Sequence, residues 1–105
     1  MEEEFRRFLL DFYADFLVRQ TLAILYRDHG VQTRFTDETL TQYRSEQEQK
    51  RLEKELQTHA ERLAKELVHD LESRGFNSPD DLEARKSELK IVVDKYHKRL
   101  IQRLR

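Results

Sequence analysis

The chain contains no cysteine, and only one proline and two glycines occur in its 105 residues. Without cysteine there is no disulfide and no thiolate metal site, a composition that suits a reducing compartment, so the expected localisation is cytoplasmic. So little glycine and proline leaves small scope for a loop-rich fold, and abundant Glu, Leu, Arg, Lys and Gln favour long helices over sheet. An excess of one charge is also missing. Twenty Lys and Arg against 21 Asp and Glu give a formal net charge of -1, which steers the chain toward neither nucleic acid nor an acidic membrane. Long apolar runs are absent too: the N-terminus opens on MEEE, and Arg6, Arg7, Asp11 and Asp15 interrupt the apolar residues beyond it well short of the ~18 that a span requires. Neither a signal peptide nor a membrane anchor is expected.

The residues present are 39% charged and 37% hydrophobic. A single domain of this length buries roughly 60 to 65% of the surface its unfolded chain exposes, enough for one modest core. The two glycines, at 30 and 75, sit where helix C-terminal caps belong. A left-handed residue at Gly75 brings Phe76 against Leu71, and the same count at Gly30 brings Val31 against Tyr26; both pairs are apolar. After Gly75, Ser78 is a capping residue, Pro79 suits the first helical position, and Asp80 and Asp81 oppose the positive end of the dipole. After Gly30, Thr36 as cap makes Phe35 and Leu40 the halves of a hydrophobic staple.

These signals predict an all-α fold of three long helices, about residues 2–29, 37–74 and 79–104, in one domain. At ~1.5 Å per residue they are about 42, 57 and 39 Å long. Leu52, Leu56, Leu63, Leu67 and Leu71 form one stripe on helix 2, with Ala60, Ala64 and Val68 beside it; Leu82, Leu89, Val93, Tyr96, Leu100 and Leu104 answer on helix 3. A four-residue turn, Gly75 to Ser78, makes helices 2 and 3 an antiparallel, coiled-coil-like hairpin that pairs Leu71 with Leu82 and the region 52–56 with 96–100. Between Tyr43 and Leu52 the segment RSEQEQKR has no apolar residue, and its Arg44–Glu48 and Glu46–Lys50 spacings support a continuous solvated helix, with a bend as the alternative.

Helix 1 is apolar on more sides than a two-helix hairpin covers. Phe5, Leu9, Phe12 and Phe16 form a stripe expected to face the hairpin, while Leu10, Tyr13, Leu17, Leu22, Ile24 and Leu25 widen the apolar surface and are expected to bind a partner chain. That partner is a second copy of the chain or another protein; a compact monomer with helix 1 folded back along the hairpin is the alternative. A membrane-surface role is not expected, because helix 1 carries four basic and six acidic residues rather than a basic polar face.

Candidate chemistry is sparse. Glu66 and His69, in ELVH, have the Glu-x-x-His spacing of di-iron carboxylate bundles, and Asp94 and His97 form a looser echo. In the antiparallel hairpin register the two pairs lie about ten residues apart along the helices, so no metal and no other cofactor is expected. Arg62 and His69 share a face at a spacing that resembles the Arg-x4-6-His arrangement of HEPN ribonucleases; the resemblance covers two residues, and Leu63 stands where that family commonly has a polar one. No phosphate loop, Ser-His-Asp set or cysteine nucleophile is visible, so no enzyme is expected. The strongest local charge is C-terminal: Lys95, Lys98, Arg99, Arg103 and Arg105 against Asp94. Basic residues complement the dipole at a helix C-terminus, and they are also the candidates for phosphate contacts in a secondary reading, an accessory subunit of a nucleic-acid complex. The leading expectation is a non-enzymatic helical adaptor or regulatory subunit acting through helix 1.

Overall fold

A computed structural model describes residues 1–29 and 38–104, with the side chains of 25–29, 38–46, 48–49 and 104 outside the description. The fold is all-α, and among the described residues it comprises four helices: α1 (Glu3–His29), α2 (Glu38–Ser73), α3 (Pro79–Ala84) and α4 (Lys86–Leu104). No described helix is long and apolar enough to cross a membrane. The start of α1 and the end of α2 lie within one residue of their predicted positions; the other two bounds adjoin residues outside the description. The helix expected over 79–104 is instead two, divided at Arg85. The segment RSEQEQKR belongs to one unbroken α2. The expected Gly30 cap, the Val31–Tyr26 pair and the Thr36 staple lie outside the described residues.

The end of α2 matches the predicted chemistry closely. Gly75 takes φ 85°, the Phe76 amide donates to the Leu71 carbonyl at 3.0 Å, and the Gly75 amide donates to the Glu72 carbonyl at 3.1 Å. This pair of bonds satisfies carbonyls the helix would leave open, and it turns Phe76 inward, where both it and Leu71 are fully buried. The restart is equally local. The Ser78 hydroxyl accepts from the Asp81 amide at 3.3 Å, and the Asp81 carboxylate accepts from the Ser78 and Asn77 amides at 3.1 and 2.9 Å. Pro79 occupies the first turn, where its missing N–H has no helical partner to lose.

The six-residue α3 has no buried residue. Leu82 is its one large apolar side chain and packs only partly against the core. At Arg85 the backbone leaves the helical region, with φ -122° and ψ 43°, and the chain bends before α4 begins. The Arg85 guanidinium lies 3.9 Å from the centre of the Phe76 ring and bonds Glu88 at 2.7 and 2.9 Å, which fixes the bend against the α2 cap. The bend corrects the expected register. Arg74 reaches Glu88 at 3.8 Å, while Asp70 meets both Lys95 at 3.5 Å and Tyr96 at 2.9 Å, so α4 runs antiparallel to α2 with Tyr96 beside Asp70 rather than near residues 52–56.

The core joins three helices. From α2 it takes Leu56, Ala60, Leu63, Ala64, Leu67, Val68 and Leu71; from α4, Val92, Val93, Tyr96 and Leu100; from α1, Leu9, Tyr13, Ala14 and Leu17. Of the stripes read from sequence, Leu52 is half-buried, Leu82 and Leu89 pack against the core from its edge, and the buried Val92 is an addition. Arg6, near the start of α1, pairs with Glu72, near the end of α2. Leu10 and Ala14 share a surface groove with Gln57, Glu61 and Lys65, so α1 also runs antiparallel to α2.

The α2 cap and the seam between α2 and α4 are each open to test. Gly75→Ala places a Cβ 3.7 Å from the nearest atom, so it meets no clash and should destabilise by about 1 kcal/mol through its positive φ; Ser78→Ala should cost a similar amount through the lost cap. Thermal melts of both variants check this, and parent-like values would mean that neither cap contributes. At the seam, desolvation pushes the Asp70 carboxyl up, but the Arg74 bond, the Tyr96 bond and the charges of Arg74 and Lys95 together hold it below its ordinary value. A depressed carboxyl stabilises the fold above its unfolded value of about 3.9 and loses that contribution as the pH falls through the folded one. Asp70→Asn should therefore be less stable than the parent at pH 7, and the gap between their melting temperatures should narrow as the pH falls below about 3.9.

Candidate functional site

Successive turns of α1 present two ladders one residue apart. Leu9, Tyr13, Leu17 and Thr21 are buried, and Phe8, Phe12 and Phe16 stand on the neighbouring rows. Phe8 is 60% exposed and Phe12 48%. Their rings stack at 6.0 Å, and Phe12 stacks on the half-buried Phe16 at 6.2 Å. Tyr13 braces the ladder from the core side, edge-on to Phe12 at 5.1 Å and to Phe16 at 6.3 Å. Burial pushes the Tyr13 hydroxyl pKa up, as expected of a phenol withdrawn from water. The result is a pre-ordered aromatic strip on the surface. Aromatic stacking of this kind contributes about 0.5–1.5 kcal/mol per pair, enough to hold the rings in place without burying them.

This arrangement corrects the faces expected for helix 1. Tyr13 and Leu17, assigned to a partner interface, are 6% and 0% exposed and belong to the intramolecular core. Leu10 and Leu22 are half-buried and pack against that core, Ile24 is half-buried, and the Leu25 side chain lies outside the described residues. Phe12, assigned to the hairpin, faces outward instead. The physical reason lies in the spacing: the two ladders share a four-residue step and differ by about 100° in direction, and α1 is apolar on both.

Charge borders the strip. Glu4, Asp11 and Asp15 are exposed on α1, with Arg7 and Arg19 as the exposed bases among its described side chains, and Arg19 bonds Asp15 at 3.0 Å. The opposite balance holds on α4. Ile91 is 69% exposed at the floor of an open groove lined by Asp94, Lys95, Lys98, Arg99 and Gln102. Two of these cations also serve the fold: Lys95 bridges to Asp70, and Lys95 and Arg99 lie 5.4 and 5.0 Å from the centre of the Tyr96 ring. Lys98 and Arg103 are exposed on the outer side. Arg105 lies outside the described residues. Among the phosphate candidates, then, the structure brings Lys95, Lys98 and Arg99 together.

The polar pairs read for chemistry are dispersed. Glu66, His69 and Arg62 are exposed on α2, and Asp94 is exposed on α4. Half-buried His97 has Nε2 shielded from water without a hydrogen-bond partner, and desolvation pushes its pKa down. The shorter register brings the two Glu/Asp-x-x-His pairs nearer than expected, since Tyr96 now adjoins Asp70. Even so, no group of three or more His, Asp or Glu that could hold a metal ion occurs among the described residues. Ile91 is the exposed apolar residue that sequence reasoning missed; Phe8 counts among the helix 1 aromatics too numerous for one chain to cover, but the expected faces leave its four-residue spacing to Phe12 unused.

The two ladders differ sharply in what their removal costs. Leu17→Ala should destabilise the fold by about 2–5 kcal/mol, the range for a fully buried leucine, while Phe12→Ala should cost about 1 kcal/mol, because much of its ring already faces water. Urea unfolding monitored by circular dichroism distinguishes them, and equal losses would place Phe12 in the core.

No family model, no curated protein and no solved structure matches this chain, so the functional reading rests on the chemistry of these surfaces.

Proposed function

We propose that the protein is a non-enzymatic helical interaction module that docks through the outward ladder of α1. The observation that carries this reading is the pair of stacked, exposed rings of Phe8 and Phe12, extended by Phe16. Water-facing phenyl rings in register are costly to leave uncovered, at about 25 cal/mol per Å² of apolar surface, and aromatic side chains are enriched at protein interfaces. Their stacking lowers the entropy lost on docking, because the rings are ordered before a partner arrives. The partner is a second copy of the chain or another protein, and the module acts as an adaptor or regulatory subunit in the cytoplasm.

A second reading has its own observation, the convergence of Lys95, Lys98 and Arg99 on one groove of α4. As a phosphate-binding surface it would serve an accessory subunit of a nucleic-acid complex. The aromatic ladder is the better-supported site, because Lys95 and Arg99 already have intramolecular partners and Asp94 adds a negative charge to the groove.

The test compares the parent with a Phe8→Ser, Phe12→Ser double variant by sedimentation and circular dichroism in about 0.5 M salt, where phosphate contacts are strongly weakened. The parent should associate, with itself or with a co-purifying protein, and the variant should stay helical and lose that association. A parent that remains monomeric and partner-free at high micromolar concentration overturns the reading. Binding to DNA or RNA at physiological salt that survives the Phe substitutions and is lost in Arg99→Glu, Arg103→Glu would install the second reading in its place.

A further inference from the structure

The exposed large apolar side chains among the described residues are Phe8, Phe12 and Ile91. They divide between two surfaces of opposite charge. Among the described residues beside the two rings, the exposed acids Glu4, Asp11 and Asp15 outnumber the exposed bases Arg7 and Arg19, the latter paired with Asp15. The groove around Ile91 carries three basic side chains, Lys95, Lys98 and Arg99, against one acidic, Asp94. Each surface therefore holds an apolar centre and a charged surround, and each surround is what the other would attract. The geometry points to self-association in which the acidic aromatic ladder of α1 in one copy seats on the basic Ile91 groove of α4 in another.

The spacing supports the match. Phe8 and Phe12 stand one helical turn apart and together present one apolar surface on which a single aliphatic side chain can rest, which Ile91 supplies. Asp11 and Asp15 repeat at the same four-residue step; Lys98 lies seven residues beyond Ile91 on the same face of α4, and Lys95, four beyond, keeps its bridge to Asp70. The chemistry also argues for a protein occupant of the α4 groove. A phosphate backbone has no use for an exposed isoleucine, whereas a helix bearing phenyl rings and carboxylates uses both the apolar centre and the cations of the groove. Complementary potentials of this kind raise the encounter rate and exclude like-charged partners. The two surfaces differ, so the contact is heterologous: the ladder of one copy meets the groove of the next.

This proposal rests on the interaction-module reading and goes further by naming the receiving surface, so the experiment separates the two. Two charge-reversed proteins are made, Asp11→Lys with Asp15→Lys, and Lys98→Glu with Arg99→Glu; all four positions are exposed, and circular dichroism checks that each protein stays helical. Sedimentation velocity at physiological salt then measures self-association of the parent, of each variant and of their equimolar mixture. Each variant alone should associate at least about tenfold more weakly than the parent, because like charges then face each other across the contact. The mixture should regain association, because every contact between unlike variants restores opposite charges. If the parent associates, the Phe8→Ser, Phe12→Ser variant does not, and the mixture fails to recover, the α1-on-α4 contact is wrong while the module reading stands. A parent that binds only a different protein has the same consequence. A parent whose association is unchanged by the Phe substitutions and by both charge reversals defeats both.

Discussion

Gly75, held at φ 85°, is the constraint on which the placement of the C-terminal third depends. A left-handed residue at this point stops α2, sends Phe76 into the core and delivers Ser78 to the position where it can cap the next helix. The cap residues then do more than end a helix. Phe76 offers its ring to the Arg85 guanidinium, Arg85 bonds Glu88, and Glu88 also draws Arg74 from the end of α2. This chain of contacts ties the start of α4 to the end of α2 and leaves α3 outside as a spacer. Once α4 begins there, Tyr96 arrives beside Asp70, and Val92, Val93 and Leu100 reach the core.

The parts of this architecture that sequence discloses are those decided by neighbours in the chain. The Gly75 turn and the Ser78 capping box involve residues no more than a few positions apart, and their donors and acceptors can be counted from the sequence. The leucine stripe of α2 is equally legible, since its remaining faces are charged and only one direction can be buried. The bend at Arg85 is not legible: no glycine or proline marks it, and it depends on Phe76, nine residues earlier, being buried. An unmarked bend propagates, because every residue of α4 then moves relative to α2 and the pairings expected at 52–56 with 96–100 are lost.

Helix α1 meets a different limit. Its sequence is apolar around most of its circumference, so periodicity alone offers two equivalent ladders and no reason to prefer Leu9 and Leu17 over Phe8 and Phe12. The choice is made by the fold, in which Leu9, Tyr13 and Leu17 join the core with α2 and α4. The C-terminal cations are ambiguous in the same way, through charge. From sequence they read as a surface free to bind phosphate, yet Lys95 is held by Asp70, a residue whose proximity depends on the register set at Arg85.

On the proposed reading, the division of α1 into a buried edge and an exposed phenylalanine edge separates stability from recognition. Leu9, Leu17 and Ala14 supply the burial that holds α1 on its neighbours, so the outer rings are not needed to keep the helix in place. A surface freed from folding can be aromatic only if something limits indiscriminate sticking, and here the exposed carboxylates of Glu4, Asp11 and Asp15 do so. They keep water around the ladder in the isolated chain and repel other acidic surfaces. On the proposed reading, docking requires a partner that offers an apolar centre and positive charge together, since either alone leaves the rings wet or desolvates the carboxylates without compensation. The outward face of α4, with Ile91 among its lysines, meets both requirements, which ties the two surfaces of this chain to one physical account.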